Sequence, residues 1–182
     1  LLLDVHASGS EEARAKIGVF AELEKSPEHM HTYRMTPLSL WNAASAGVEA
    51  EEVLDALERH ARYPIPENVA FNIRDTISRY GLLKLSETED PQTLRLQVSQ
   101  PELREELVNQ KRISSLITPT ADSDDFFVSL YDRGTLKQEL TRIGYPVEDL
   151  APLQAGEHQP VSFREEMSSG ERFVLRDYQR EA

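Results

Sequence analysis

Between Ser10 and Tyr80 most apolar residues recur at helical spacing, and after Gly81 they fall into short strand-like runs. Leu1 to Val5 opens the chain as a strand. Ser10-Glu11-Glu12 predicts a helix start, with Ser10 as N-cap and acids in the first turn, and Ala13, Ile17, Phe20 and Leu23 carry the period on until Pro27. His31 to Met35 is a short strand. Thr36-Pro37 starts a second helix, a capping hydroxyl followed by proline at the first helical position; Leu38, Trp41 and Ala44 form its inner face and Gly47 ends it. A third helix over about 49–61 buries Val53, Leu54 and Leu57. Pro64-Ile65-Pro66 is a stiff connector, and a fourth helix, Glu67 to Tyr80, turns Val69, Ile73 and Ile77 inward before Gly81 stops it.

Leu82 to Leu85 and Thr93 to Val98 then pair as a hairpin across Glu-Thr-Glu-Asp-Pro-Gln. Pro101 to Asn109 is a helix, Phe126 to Leu130 a strand, and Arg133 to Ile143 a helix closed by Gly144 and Pro146. Residues 151–172 are rich in Gly, Ser, Gln and charge and form a connector with one short strand at Val161 to Phe163. Phe173-Val174 leads into helix formers with no closing signal. The pattern predicts an α+β chain of two small domains: a mostly helical one with flanking strands over 1–90 and a small mixed α/β one over 91–155, followed by a linker over 156–182. Three short helices before a two-stranded ribbon give residues 31–98 a winged-helix pattern.

Composition narrows the function classes. The 182 residues are 39% hydrophobic and 29% charged, and no apolar run approaches the roughly 20 residues of a membrane span. There is no cysteine, which excludes disulfides, thiol catalysis and Cys-based zinc sites and fits a reducing compartment. The 20 basic and 32 acidic residues give a net charge of −12, spread along the chain. Nonspecific DNA affinity arises mostly from Lys and Arg neutralising phosphates, so strong autonomous DNA binding is not expected.

Few side chains point to chemistry. His29 and His31 share a strand face but lack a third metal ligand nearby, and Asp122, Asp124 and Asp125 lack the Gly and terminal Glu of a calcium loop, so no metal site is expected. Glu51, Glu52, Asp55 and Glu58 are a solvated helix face, and Trp41 is a core residue. No nucleophile, base and orienting group stand together. The candidates for DNA contact are Lys111 and Arg112 at a helix end, with Arg133, Lys137 and Arg142 around the last helix. As a recognition helix, Glu67 to Tyr80 would be poor, offering Arg74 and Arg79 against Glu67 and Asp75; a winged-helix shape used for protein contact fits this charge better.

Three blocks in order carry a resemblance: His31-Thr32-Tyr33-Arg34-Met35-Thr36-Pro37-Leu38-Ser39-Leu40-Trp41-Asn42 with Arg62-Tyr63-Pro64-Ile65-Pro66 and Ser78-Arg79-Tyr80-Gly81; Gly134-Thr135-Leu136-Lys137-Gln138-Glu139-Leu140 with Gly144-Tyr145-Pro146-Val147; and Leu175-Arg176-Asp177-Tyr178-Gln179. They resemble the region before the motor in bacterial XPB-type DNA helicases of superfamily 2. Asp177 stands where the family usually has proline. The resemblance implies an N-terminal accessory domain, a damage-recognition-like domain, and the start of the first motor domain, with Gln179 reading the adenine of ATP.

It further implies an ATP-dependent 3′ to 5′ helicase of nucleotide excision repair in the cytoplasm, at the nucleoid. Its partners would be DNA (weakly for this region alone), the motor domains of the same protein and a nuclease, and its cofactors ATP and magnesium. The 182 residues contain neither a Gly-x-x-x-x-Gly-Lys-Ser/Thr loop nor an Asp-Glu-x-His box, so this region is expected to take no cofactor and to catalyse nothing alone. A strand start without an initiator Met and an unclosed final helix lead us to expect a fragment preceding a motor. The competing expectation is a module that only docks a protein partner or holds the motor inactive, without touching DNA. A stand-alone winged-helix regulator is a third, which the unclosed final helix argues against.

Overall fold

A computed structural model describes residues 1–121, 123–152, 166–174 and 176. The chain divides into two compact units, Leu1–Pro152 and Leu153–Ala182. Within the first, the buried side chains form two hydrophobic clusters, one before Tyr80 and one after it.

The first cluster is built by β1 (Leu2–Asp4), α1 (Ser10–Ile17), β2 (Glu22–Lys25), β3 (Met30–Arg34), α2 (Pro37–Ser45), α3 (Ala50–His60) and α4 (Glu67–Ser78). The strands form an antiparallel sheet of order β1-β3-β2, with Leu3 opposite His31 and Leu23 opposite Tyr33. The helix expected to run to Pro27 ends at Ile17. Gly18 follows, a poor helix former, and the next residues satisfy their backbone in a strand, which leaves Leu23 54% exposed. Gly9, with φ of +81°, occupies the N-cap position assigned to Ser10, while the Ser10 hydroxyl donates to the Val5 carbonyl at 2.8 Å.

The Thr36 cap forms as expected: Thr36 Oγ1 accepts from the Ser39 N–H at 3.1 Å and Ser39 Oγ accepts from the Thr36 N–H at 3.0 Å. The Ser39 hydroxyl also donates to the Phe20 carbonyl at 2.8 Å. This bond and the packing of α2 on α4 set the buried side of α2 as Ser39, Leu40, Trp41 and Ala43, so Leu38, expected inside, is 54% exposed. Val53, Leu54, Leu57 and Ile73 are buried as their spacing predicts, with Val69 and Ile77 packed at the margin.

The second cluster belongs to β4 (Leu83–Glu87), β5 (Thr93–Val98), α5 (Pro101–Asn109), α6 (Lys111–Ser114), β6 (Ile117–Pro119), β7 (Phe126–Ser129), a 3-10 turn (Leu130–Asp132), α7 (Arg133–Arg142) and β8 (Val147–Asp149). The sheet order is β6-β7-β5-β4-β8; β4 and β8 are parallel and the other three pairs antiparallel. Leu83, Leu85, Leu94, Leu96, Phe126 and Val128 turn to one face of this sheet and join Leu103, Leu107, Ile113, Leu136 and Leu140 from the helices. The expected hairpin exists, with Leu85 opposite Leu96, but it is not a wing beside α2–α4. Its four leucines are committed to the second cluster, because strands of this period need a helical layer over their apolar face.

In the second unit Glu166 and Arg172 form a β-bridge around Gly170, whose φ is +82°. The strand expected at Val161 to Phe163 lies outside the described residues.

Candidate functional site

The charged side chains proposed for DNA gather around α7. Arg133, at its first turn, donates from Nε to Asp149 Oδ2 at 3.0 Å and from Nη2 to Asp149 Oδ1 at 2.8 Å. The same guanidinium reaches the Ala151 carbonyl at 2.6 Å and that of Pro152 at 3.3 Å. One turn on, Lys137 Nζ donates to Asp149 Oδ2 at 2.7 Å. The Arg133 and Asp149 side chains are only 16% and 13% exposed, so this is a largely desolvated, bidentate pair with a third partner. Burial pushes the Asp149 carboxyl up, but the hydrogen bonds and charges of Arg133 and Lys137 outweigh it and hold it below the usual carboxylate range.

On the next turns of α7, Glu139 accepts from Arg142 and, at 3.5 Å, from Arg112 Nη1 on α6. Four of the five candidate cations are therefore paired with Asp149 or Glu139. Lys111 is exposed and has no ion-pair partner among the described residues. Gln179 and Asp122 lie outside the described residues.

Several of the other acids singled out in the sequence make local structural contacts. Glu51 makes a two-pronged exposed pair with Arg74, at 2.7 and 3.1 Å, and Glu52 accepts the Glu49 N–H at 3.1 Å. Asp124 and Asp125 face Arg104 and Arg95 at 3.7 and 3.8 Å. His29 contacts His6 at 3.0 Å, whereas His31 Nδ1 is buried without a hydrogen-bond partner. Among the described residues no three His, Cys, Asp or Glu side chains converge as metal ligands. Trp41 is buried and donates its indole N–H to the Thr76 carbonyl at 2.8 Å, tying α2 to α4.

Where α4 ends, Arg79 donates to Asp75 at 2.9 Å and lies over the Tyr145 ring, whose hydroxyl donates to Glu106 at 3.3 Å. Burial first, and then the Glu106 charge, pushes the Tyr145 phenol up. The side of the five-stranded sheet opposite the helices carries Ser86, Arg95, Phe127 and Thr118 in register on four neighbouring strands. A groove of about 1260 Å³ lies over it. This surface, like the pairing roles of Asp149 and Glu139, is not among the sites expected from the sequence. The available signal for the surface was the period-two alternation of Arg95 and Gln97 with Leu94 and Leu96, and of Phe127 with Phe126 and Val128.

No described helix is long and apolar enough to cross a membrane. Residues 1–121 match the family model of the helicase conserved C-terminal domain. The chain is 42% identical over 180 residues to the DNA 3′-5′ helicase XPB of Mycobacterium tuberculosis, covering 99% of this chain and 32% of that protein. It is 40% identical to the protein of the same name from Kineococcus radiotolerans, across 100% of this chain and 32% of that one. A more distant relative is the general transcription and DNA repair factor IIH helicase/translocase subunit XPB of Enterocytozoon bieneusi, at 26% over 82% of this chain and 24% of that protein. The chain thus spans about a third of the length of its bacterial relatives. A family-model match over residues 1–121 and about 40% identity across almost the whole chain lead to one conclusion: the chain belongs to the helicase conserved C-terminal domain family and is a region of the XPB helicase type.

Proposed function

We propose that this chain is the accessory region of an ATP-dependent 3′ to 5′ DNA helicase of nucleotide excision repair, placed before the motor and non-catalytic by itself. The name of its bacterial relatives supports the helicase. A role as accessory rather than as the nucleotide-binding motor is supported by the sheet. Phosphate-loop motors bind nucleotide at the carboxyl ends of parallel strands, whereas this sheet has one parallel pair and three antiparallel ones, and the sequence has no phosphate loop. ATP and magnesium are then requirements of the complete helicase, with Gln179 as its adenine contact.

The observation that shapes the mode of action is the internal pairing of Arg112, Arg133, Lys137 and Arg142. Cations neutralised by Asp149 and Glu139 release few counterions on meeting a phosphate backbone, so this region holds DNA weakly and acts only where the motor keeps DNA at high local concentration. Damage sensing follows from the lower energy needed to bend or unpair DNA at a lesion. The pairing, with the net charge of −12, also favours the second reading: a module that docks a protein such as a nuclease, or restrains the motor, without touching DNA.

Fluorescence anisotropy of duplexes with and without a bulky lesion tests both, using this chain and the complete helicase at low and physiological salt. The first reading expects weak binding by the chain and lesion-dependent binding by the helicase that falls on neutralising Lys111, Arg112, Lys137 and Arg142. Equal binding and equal helicase stimulation on damaged and intact DNA would overturn it in favour of the docking reading. Light scattering with a partner nuclease tests that second reading directly.

A further inference from the structure

Among the described residues, the helices of the α/β region pack on one side of its sheet and the other side carries none. On the uncovered side, Arg95 stands directly opposite Phe127, Ser86 opposite Arg95, and Thr118 opposite Phe127, a continuous row across β4, β5, β7 and β6. Phe127 and Tyr131 are 37% and 83% exposed. An exposed phenylalanine in mid-strand, with a second aromatic in the 3-10 turn that follows, is an apolar patch of the kind that anchors a partner. The charge lining the groove is mostly negative, and Lys84, further along the same face, is paired with Glu148 at 3.0 Å. Glu87, Glu89, Asp90 and Asp132 line the groove, while Arg95 is its single cationic lining residue and already faces Asp125 at 3.8 Å.

That charge decides between occupants. A nucleic-acid strand would find one aromatic row for stacking, but its phosphates would meet four carboxylates, and aromatic platforms for single strands work together with a positive groove. A peptide carrying Lys or Arg would meet attractive charge at the rim and apolar rings at the centre, the usual layout of a protein interface. We infer that the uncovered sheet face, centred on Phe127, Tyr131 and Arg95 and rimmed by Glu87, Glu89, Asp90 and Asp132, docks an extended Arg/Lys-rich segment of a protein partner. The inference rests on the protein-contact part of the proposed function but not on any DNA contact, so the two fail separately.

The test uses the full chain and, as probe, a labelled eight-residue peptide of alternating Arg and Leu. Amide chemical-shift mapping locates the bound peptide and anisotropy gives its affinity. Shifts centred on Ser86, Thr93, Arg95, Phe127 and Tyr131 are expected. Phe127→Ser and the doubly substituted Glu87→Gln/Glu89→Gln should each weaken binding by about tenfold, since aromatic anchors and desolvated charges dominate interface energies. Glu11→Gln/Glu12→Gln removes the same charge from exposed positions on α1 and should change affinity by less than about twofold. Glu87 and Glu89 are exposed and make no hydrogen bond in the sheet beyond the backbone ladder, so their variant reports docking even if Phe127→Ser perturbs the fold. Shifts scattered over the acidic helices, equal weakening by both glutamate pairs, or a single-stranded oligonucleotide shifting the same face more tightly than the peptide would each overturn the inference.

Discussion

The guanidinium carbon of Arg79 lies 5.2 Å from the centroid of the Tyr145 ring, so the end of α4 is clasped to the turn that leads into β8. Asp75, one turn earlier, orients Arg79, and Glu106 orients Tyr145. This chain of four side chains links elements of the two hydrophobic clusters. The contact also crowds Gly144, where a Cβ would stand 2.9 Å from Arg79 Nη1.

Gly144→Ala should therefore destabilise the chain by about 1–2 kcal/mol, mostly through its φ of +90°, which an L side chain rarely adopts. The clash is with the far end of a flexible side chain, so it adds less than the backbone term. Urea denaturation of Gly144→Ala in the wild-type and Arg79→Ala backgrounds separates the two. If Arg79→Ala abolishes most of the loss, the side-chain clash, not the backbone, is dominant.

Asp149→Asn should cost about 3 kcal/mol, because it leaves the largely buried Arg133 with one anionic partner fewer and lets Lys137 go. The same carboxylate predicts a pH dependence. Its folded pKa lies below the ordinary value of 3.8, so its contribution is fully present above that value and is lost as pH falls from there through the folded pKa. Acid titration of thermal stability should show a loss in this window that Asp149→Asn lacks.

Glu139→Gln should strengthen duplex binding by the complete helicase. It frees Arg112 and Arg142 together, and each cation that reaches a phosphate steepens the dependence of log K on log salt by about 0.9. Binding isotherms at several salt concentrations give that slope directly. An unchanged slope would mean that α6 and the end of α7 do not face DNA.

Trp41→Phe should cost about 1–2 kcal/mol, since the Thr76 carbonyl loses its indole donor in a part-buried site while the aromatic packing is mostly kept. Trp41 is the single tryptophan, so wild-type unfolding can be followed by its fluorescence and the variant by circular dichroism. A loss of stability confined to the second hydrophobic cluster would contradict this placement.

Helices with a clear period and a strong start signal were legible in the chain itself. Thr36-Pro37 fixed the start of α2 because the cap bonds are local, and Val53, Leu54 and Leu57 fixed the inner face of α3. The Gly81 stop and the β4–β5 hairpin were equally readable, since turn chemistry and two-residue alternation act within a few residues. The positions of Lys111, Arg112, Arg133, Lys137 and Arg142 on or beside helices could also be read, but not their electrostatic state.

Three things were decided only by tertiary structure, each because its partner lies far along the chain. Leu23 left its helical period because Tyr33 offered a strand to pair with. The hairpin became the centre of a five-stranded sheet because β7 and β8 arrive from beyond residue 125. Arg133 and Lys137 lost their availability to Asp149, 16 and 12 residues away, a carboxylate that no local pattern marks as their partner. Sequence determined where the backbone could turn, cap and alternate, for these are short-range sterics and hydrogen bonding. The tertiary fold determined which charges are spent inside the molecule and which sheet face is left uncovered, because desolvation and ion pairing depend on distances that only packing sets.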